Sequence, residues 1–568
     1  MRVKLIHVLC TLAIGMSFFS CESDLLREKQ QPEESSDAER NAYISFDLAV
    51  GADRITRAET EEGLVKEQKV SSVYLLLFGG AGPEAPLHYC FKLKASTDGS
   101  TDFAGEDVLV AETTYTGPGK GSFRSKAKPI RKADYQLVVL ANLQPGKIKP
   151  VLPGAGVDLK TLLDDIASAN EGEVGESILS DNALVERYKI SNLITNAVSG
   201  NTPSDFFNAS SESEFMMTNA NGILFIEGEQ LQTSSVHAEA APFYIHLDRV
   251  VAKVLVRRGG NYQTKKGTLD EIHGLTWGVV RTNRLTYLVR NLNYLSDPFG
   301  AANNYQSIDK ETISSGLNPA LSGNALPARK YTYAIDPNYD AEVSGASDYD
   351  SYPATMYSWN LSPTCIGQNA GDTYQYIFEN TISLHRQSAD NWRDYVTQIE
   401  VNAFITHPGG LTATDYYSFK TPGGEARVFT HTQANMWWIY DMFPAEMDGL
   451  SIAIAKDEAL PVGERQFDFY ASQPSGAFRN SFGITYHPGG LNKYRIPIKH
   501  FYVPDITDAE TARKTVYGHY GVVRNNVYAI TIHSITGPGD GLTDQYISAD
   551  VTVNPWWVRT WDEEVKYE

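Results

Sequence analysis

Residues 522–532 and 546–553 pattern as two strands around a Gly-Pro-Gly-Asp-Gly turn at 537–541, and this pair constrains the fold more than any other stretch. In the second arm Ile547, Ala549, Val551 and Val553 alternate with Ser548, Asp550 and Thr552. A period of two places one apolar row and one wet row on a strand, so the arm must lie against a core. Pro555 has no N–H to give a ladder, and regular pairing should end there. Beyond it Trp557, Val558, Trp561, Val565 and Tyr567 form a tail too short to fold alone and too apolar to rest in water. Such a tail needs a partner surface.

The same alternation recurs along the chain. Thirty-two Tyr and 23 Phe, broken by Gly and Asn/Asp-rich stretches, favour an all-β fold with few short helices. Core strands are expected at 70–78, 133–142, 215–219, 223–226, 249–256, 274–281, 284–291, 374–378, 395–405, 451–455 and 494–498. One helix is expected at 159–169, with Leu162, Leu163 and Ile166 on one side. Residues 295–360 read as large loops. A chain of 568 residues exceeds one comfortable core, so two domains are expected. Their boundary is placed near 242, after a Ser/Thr-rich stretch at 232–235 and at Pro242. A net charge of −20 excludes nucleic acid as a partner, because nothing here would displace counterions from phosphate.

The N-terminal residues suggest export. Arg2 and Lys4 precede an apolar run at 5–19, too short to span a bilayer, which ends in Ser17-Phe18-Phe19-Ser20-Cys21. A small residue before Cys resembles a bacterial lipoprotein signal, in which Cys21 would be acylated; Phe18 stands where Leu is usual. An ordinary secretory signal with an incidental Cys is the alternative. Residues 22–41 are polar and acidic and read as a tether. Then Ile44, Phe46, Leu48 and Val50 line one face of a strand at 43–50, followed by a polar loop with Arg54 and Arg57. Exposed loops are where proteases cut, and a cut there would detach a whole strand. Cys90 and Cys365 could pair in an oxidising compartment or stay as buried thiols.

Catalytic signatures are thin. The chain has no His-Glu-x-x-His, Gly-x-Ser-x-Gly or dinucleotide Gly-x-Gly-x-x-Gly motif. The glycine-rich run at 116–122 lacks a Gly-Lys-Ser/Thr ending and reads as a loop. His-Pro-Gly-Gly-Leu occurs at 407–411 and 487–491, which two turns between strands explain better than duplicated chemistry. A carboxylate pair for glycoside hydrolysis could form in space, and Trp437-Trp438 or Trp556-Trp557 could stack on sugar rings. No metal site, cofactor or catalytic residue is assigned.

Val522-Val523-Arg524-Asn525-Asn526-Val527-Tyr528, the strand at 547–553 and Pro555-Trp556 closely resemble the C-terminal region of Bacteroidales fimbrilins, nearest to the major subunits of the short fimbriae. Cys21, the Arg57-Ala58 junction and Arg249-Val250-Val251-Ala252-Lys253-Val254 stand where that family has its lipid Cys, its cleavage arginine and the start of its second domain. The resemblance implies two tandem transthyretin-like β-sandwich domains, lipoprotein export, removal of the first strand by an arginine-specific protease, and polymerisation into type V pili by donated C-terminal strands.

The expected division is therefore a signal and lipid Cys at 1–21, and a tether with removable strand at 22–57. Sandwich domains follow at 58–242 and 243–556, and a donor strand at 557–568. Arg54 is the second choice of cut, since Ile55 and Thr56 would remain as a stub. The expected role is a non-enzymatic structural subunit of an adhesive fimbrium: a lipid-held outer-membrane precursor, then a cell-surface polymer. Its partners would be other copies of itself in a head-to-tail filament, anchor and tip subunits, the protease, and host or bacterial surface ligands. An anchor or tip subunit and a surface glycan-binding lipoprotein are the alternatives, with an enzyme third.

Overall fold

A computed structural model describes residues 40–50, 67, 69–96, 107–111, 123–148, 158–168, 173–174, 189–194, 202–220, 222–264, 271–290, 336–338, 356–357, 364–365, 374–406, 416–420, 426–430, 484–500, 508–515, 518–540 and 547–555. The described chain is mostly β-sheet with a few short helices, as the alternation implies.

Among the described residues the first half supplies eleven strands. They begin with β1 (Ala42–Ile44), β2 (Phe46–Val50), β3 (Ser72–Gly79), β4 (Leu87–Ser96), β5 (Asp107–Ala111) and β6 (Phe123–Ser125). They continue with β7 (Lys128–Ile130), β8 (Tyr135–Ala141), β9 (Met217–Asn219), β10 (Leu224–Ile226) and β11 (Phe243–Arg249). Nine form one sheet in the order β10-β8-β3-β4-β5-β6-β2-β11-β9, and β9 also pairs with β8, so the hydrogen-bonded ring closes. β9 and β10 share one edge of β8, opposite its two ends. The gap between them is filled by the Asn219 side chain, whose amide accepts from Val139 N–H at 2.6 Å and donates to Leu137 O at 3.0 Å. A carboxamide offers both an N–H donor and an oxygen acceptor, so it can stand in for a missing strand residue.

Registered neighbours point to the same side, so Val73, Leu75 and Leu77 of β3 share the inner face with Leu137 and Val139 of β8. Tyr74, Leu76 and Cys90 face outward under helix α1 (Leu159–Ser168), which buries Leu159, Leu163 and Ile166. The helix expected at 159–169 is thus present, with Leu162 partly buried beside the same core. The buried Cys90 thiol is free and donates to Leu163 O at 3.7 Å; it does not pair with Cys365.

The second half supplies β12 (Val251–Thr264), β13 (Glu271–Val280), β14 (Thr282–Asn283), β15 (Met356–Tyr357), β16 (Thr364–Cys365), β17 (Tyr374–Phe378) and β18 (Asn380–Thr381). After them come β19 (Gln398–Thr406), β20 (Tyr416–Lys420), β21 (Ala426–Thr430), β22 (Ile484–His487), β23 (Leu491–Pro497), β24 (Gly521–Val522), β25 (Asn526–Ile535) and β26 (Ile547–Pro555). One four-stranded sheet runs β17-β12-β25-β26 and a second runs β16-β13-β19-β23. Val254, Tyr528 and Ile530 of the first meet Trp277, Val401 and Ile496 of the second in one core, which makes a β-sandwich.

Several expectations shift in detail. The run read as one strand at 522–532 is two: Asn525 takes a left-handed φ of 58°, and the ladder restarts at Asn526. The strand expected at 284–291 is not present over its described residues, 284–290; the short β14 ends before it, at Asn283. β11, on the far side of the boundary expected near 242, closes the first sheet, and the chain passes to the second sheet at Val250. The core of the first half also runs on into the second through Val251, Leu288, Tyr376, Phe378 and Val523. Residues 451–455 and 407–411 lie outside the described residues.

Candidate functional site: the slot of the first strand

β2 is an interior strand of the ring. It runs parallel to β11, from Phe46↔Phe243 to Val50↔Leu247, and antiparallel to β6 through Asp47↔Arg124 and Leu48↔Phe123. Both its edges are therefore taken. Ile44, Phe46 and Leu48 are 0% exposed. Burying three such side chains stabilises the fold by roughly 5–9 kcal/mol on an area basis, an upper figure because unfolded chains already hide some apolar surface. Val50 ends the ladder; its side chain lies outside the described residues.

The opposite face is wet in the sequence pattern and dry in the structure. Ser45 and Asp47 are only 1% and 3% exposed. A short helix, Ser235–Ala240, lies over this side, and Ser45 Oγ donates to Ala238 O at 2.7 Å. Phe46 N–H donates to Ser125 Oγ at 2.9 Å, and the Arg124 guanidinium meets Asp47 at 3.3 Å. Upstream, β1 pairs with β7, and Tyr43 exchanges backbone hydrogen bonds with Gln232. Arg40 reaches Glu173 at 2.8 Å, where Arg131 also binds at 3.1 Å. The stretch from Arg40 to Val50 is thus stitched along its length to elements distant in sequence.

Without β2, the ring would present an apolar trough between β6 and β11 with two unpaired backbone edges. Open edges of this kind are templates for strand addition. The trough would keep its own donors and acceptors: Ser125 Oγ, the Arg124 guanidinium and Ala238 O.

The remaining sequence-predicted site residues lie outside the described residues: Cys21, Arg54, Arg57 and Ala58, and Trp557, Val558, Trp561, Val565 and Tyr567 of the tail. What can be traced is where the tail leaves. β26 is the edge strand of its sheet, registered on β25 from Ile535↔Ile547 to Asn526↔Pro555, and the described ladder ends at Pro555.

Among the described residues no group of three or more His, Cys, Asp or Glu side chains is placed to hold a metal ion. One pair has the look of nucleophile chemistry. Ser418 Oγ lies 2.7 Å from His487 Nε2, and His487 Nδ1 lies 3.1 Å from Leu491 O. Both side chains are buried, and burial pulls the imidazole down to about 4. The contact fastens the turn at Pro488–Gly490, where Gly489 and Gly490 take φ of 58° and 78°, the conformations that a Pro-Gly-Gly turn supplies.

Sequence patterns missed the junction between the halves. Glu67, just ahead of β3, is fully buried and accepts from Lys253 Nζ at 2.9 Å and Tyr376 Oη at 2.7 Å. Arg249 donates to the Glu67 carbonyl at 3.2 Å and to Asn525 Oδ1 at 2.9 Å. Burial lowers the Arg249 guanidinium to about 10, which leaves it charged at neutral pH. Asp248 pairs with Arg290 at 2.9 Å, and Arg524 with Glu379 at 3.4 Å.

Residues 485–562 match the family model for the C-terminal part of fimbrillin, the major fimbrial subunit protein type IV. No curated protein sequence matches. Among solved structures, a protein assigned to cell adhesion in Parabacteroides distasonis aligns at 9% identity with a TM-score of 0.38, covering 92% of this chain and 99% of that one. The tip fimbrial protein Mfa3 from Porphyromonas gingivalis, solved with a C-terminal truncation, aligns at 11% identity with a TM-score of 0.35, covering 91% and 99%. The matched segment holds β23 of one sandwich sheet, β25 and β26 of the other, and the Arg524-Asn525 corner that seats the second half on the first. Over this segment, residues 485–562, the chain is similar to the C-terminal part of the fimbrillin family of fimbrial subunit proteins.

Proposed function

We propose that this chain is a polymerising structural subunit of an adhesive cell-surface fimbrium. It is exported as a lipoprotein acylated on Cys21, matured by an arginine-specific protease between Arg57 and Ala58, and joined to the next copy by strand exchange. β1 and β2 fill the slot in the precursor. After the cut, the tail bearing Trp557, Val558, Trp561, Val565 and Tyr567 of another copy enters it. The observation that carries this reading is the place of β2: a strand from upstream of the expected cut sits inside the ring, between β6 and β11, with Ile44, Phe46 and Leu48 fully buried. Donor and slot are at different places on the subunit, so copies join head to tail and the assembly does not close on itself.

The test is to treat purified precursor with an arginine-specific protease and follow size and electron micrographs. Cleavage near Arg57 should convert monomer into filaments, and deletion of residues 557–568 should block growth while leaving the cut intact. A precursor that is cut and stays monomeric would sink the stalk-subunit reading. A chain that resists cutting and keeps its lipid would fit an anchor, and one that accepts a tail but donates none would fit a tip. Equal sugar binding by cut and uncut monomer would favour a glycan-binding lipoprotein.

A further inference from the structure

The seam between the halves is built from charge where a flexible linkage would need none. Interfaces between domains of one chain ordinarily permit relative motion unless they are large and apolar. Here Tyr376 packs at 4.9 Å from both Phe207 and Phe215, and Phe206 meets Phe378 at 5.2 Å, so aromatic rungs of β17 interleave with the first half. Glu67 sits within this apolar seam. Its carboxylate takes donors from two strands of the second half, Lys253 of β12 and Tyr376 of β17, and its backbone carbonyl takes Arg249. Lys253 also lies 4.1 Å from the centre of the Tyr374 ring, while Tyr374 Oη donates to Glu212 of the first half. Burial, followed by the adjacent Glu67 charge, pushes the Tyr376 hydroxyl far up, so it stays protonated as a donor.

Position in the chain gives this contact its meaning. Glu67 lies between the strand that fills the slot and β3, the first strand of the remaining body. We propose that Glu67 is a clasp: a buried carboxylate that fixes the chain entering β3 to β12 and β17, and holds the two halves as one unit whether or not the segment before it has been removed. The last clause rests on the maturation reading above; the coupling of the halves does not. In a head-to-tail polymer the slot is in one half and the donor tail leaves from the other. A subunit whose halves slid apart on losing β2 could not carry load between its neighbours. An ion pair suits this role because removing one partner strands a charge in a dry site, whereas removing both does not.

The full-length chain tests it through hydrogen exchange of β17 and of residues 206–217, read by mass spectrometry. Glu67→Ala should speed exchange across the seam about a hundredfold, since it removes the buried carboxylate to which Lys253 Nζ and Tyr376 Oη donate. Glu67→Gln, whose amide oxygen still accepts from Tyr376 or Lys253 but supplies no countercharge, should fall between Glu67→Ala and the unaltered chain. The double variant Glu67→Ala/Lys253→Met should recover most of the protection. Faster exchange confined to residues 69–72 would overturn the inference, as would a double variant no better than Glu67→Ala. Should Glu67→Ala fail to fold, the Gln and double variants still decide. A final arm uses precursor cut at Arg57: seam protection kept after the cut supports the clasp, and its loss refutes it. Failure of the cut chain to polymerise bears on the pilin reading alone.

Discussion

β2 and β26 have almost the same sequence pattern and opposite situations. Each alternates apolar with polar residues and lies toward one end of the chain. β2 has neighbours on both edges and cover on both faces, so even Ser45 and Asp47 are buried. Among the described residues β26 has one neighbour, and its polar row, Ser548 and Asp550, is exposed. Alternation therefore reports which side of a strand meets the core and not what covers the other side. The strand that the proposed function removes is the more deeply held of the two, so its loss must be driven by a broken peptide bond and a replacement strand.

The largest expected effect sharpens this contrast. Phe46→Ala should cost about 3–5 kcal/mol, the range for a buried ring replaced by a cavity. Val551→Ala, on a half-buried edge strand, should cost about 1 kcal/mol. Urea unfolding of the two variants measures both; equal losses would break the comparison.

Acid should loosen the sheet that carries β26. Tyr528 of β25 accepts from Val523 N–H at 2.7 Å, so its own hydroxyl is left to donate to His500 Nδ1 at 2.8 Å. Burial pulls His500 from 6.5 to about 3 and His487 from 6.5 to about 4. For a base whose folded pKa is lowered, the unfolded chain binds the proton first as pH falls. Stability is therefore whole above about 6.5 and drains away below it, down to the folded values. His487, which lies on β22 in another sheet, takes about 3 kcal/mol from the whole chain's stability by pH 4, while His500 acts on β25 directly through Tyr528. Exchange of β25 and β26 followed from pH 7.5 to 4 should rise below 6.5, and His500→Asn should narrow that rise. A flat profile would show that these imidazoles are not held neutral.

Much of this was legible. The run at 547–553 reads as a strand because its period of two survives at an edge, where one face meets water. Helix α1 reads from Leu162, Leu163 and Ile166 because a helix on a sheet also has two unlike faces. The corner at Asn525 did not read: a left-handed residue inside an apolar run leaves the periodicity intact, so one long strand and two shorter ones look alike. The burial of Ser45 and Asp47 was equally hidden, because Ser45 meets a helix almost two hundred residues later and Asp47 meets Arg124 of β6. Glu67 gave no signal, since an isolated glutamate near a polar stretch resembles any solvated one. The crossover at Val250 hid because no glycine or proline marks it, and the charged pair Asp248-Arg249 just before it is buried against the second half.

A smaller effect isolates the backbone of the slot. Ser125→Ala removes the acceptor of the Phe46 N–H in a buried place, and should cost about 1–3 kcal/mol. Because Ser125 stays on the body when β2 leaves, the same variant should also slow entry of a replacement strand, measured as the lag in filament growth after cutting. A stability loss with an unchanged lag would mean that the incoming strand takes another register.

The smallest effects compare the two polar rows directly. Asp47 is buried against Arg124, but that guanidinium is about a third exposed and water can take over its charge. The Asp47 Oδ1 atom also has no hydrogen-bond partner among the described residues, so substitution removes a desolvation cost together with the ion pair. Asp47→Ala should therefore cost about 1 kcal/mol, well short of a fully buried pair. On β26 the corresponding contact, His533 Nε2 to Asp550 at 2.8 Å, joins two side chains that are both largely in water. Asp550→Ala should change stability by less than about 0.5 kcal/mol. If added salt weakens the unaltered chain but leaves Asp47→Ala unaffected, the Asp47 contact acts through charge. If both respond alike, Asp47 serves as a shape that fits its buried place beside Arg124, and an incoming strand would need a small residue there in place of an acidic one.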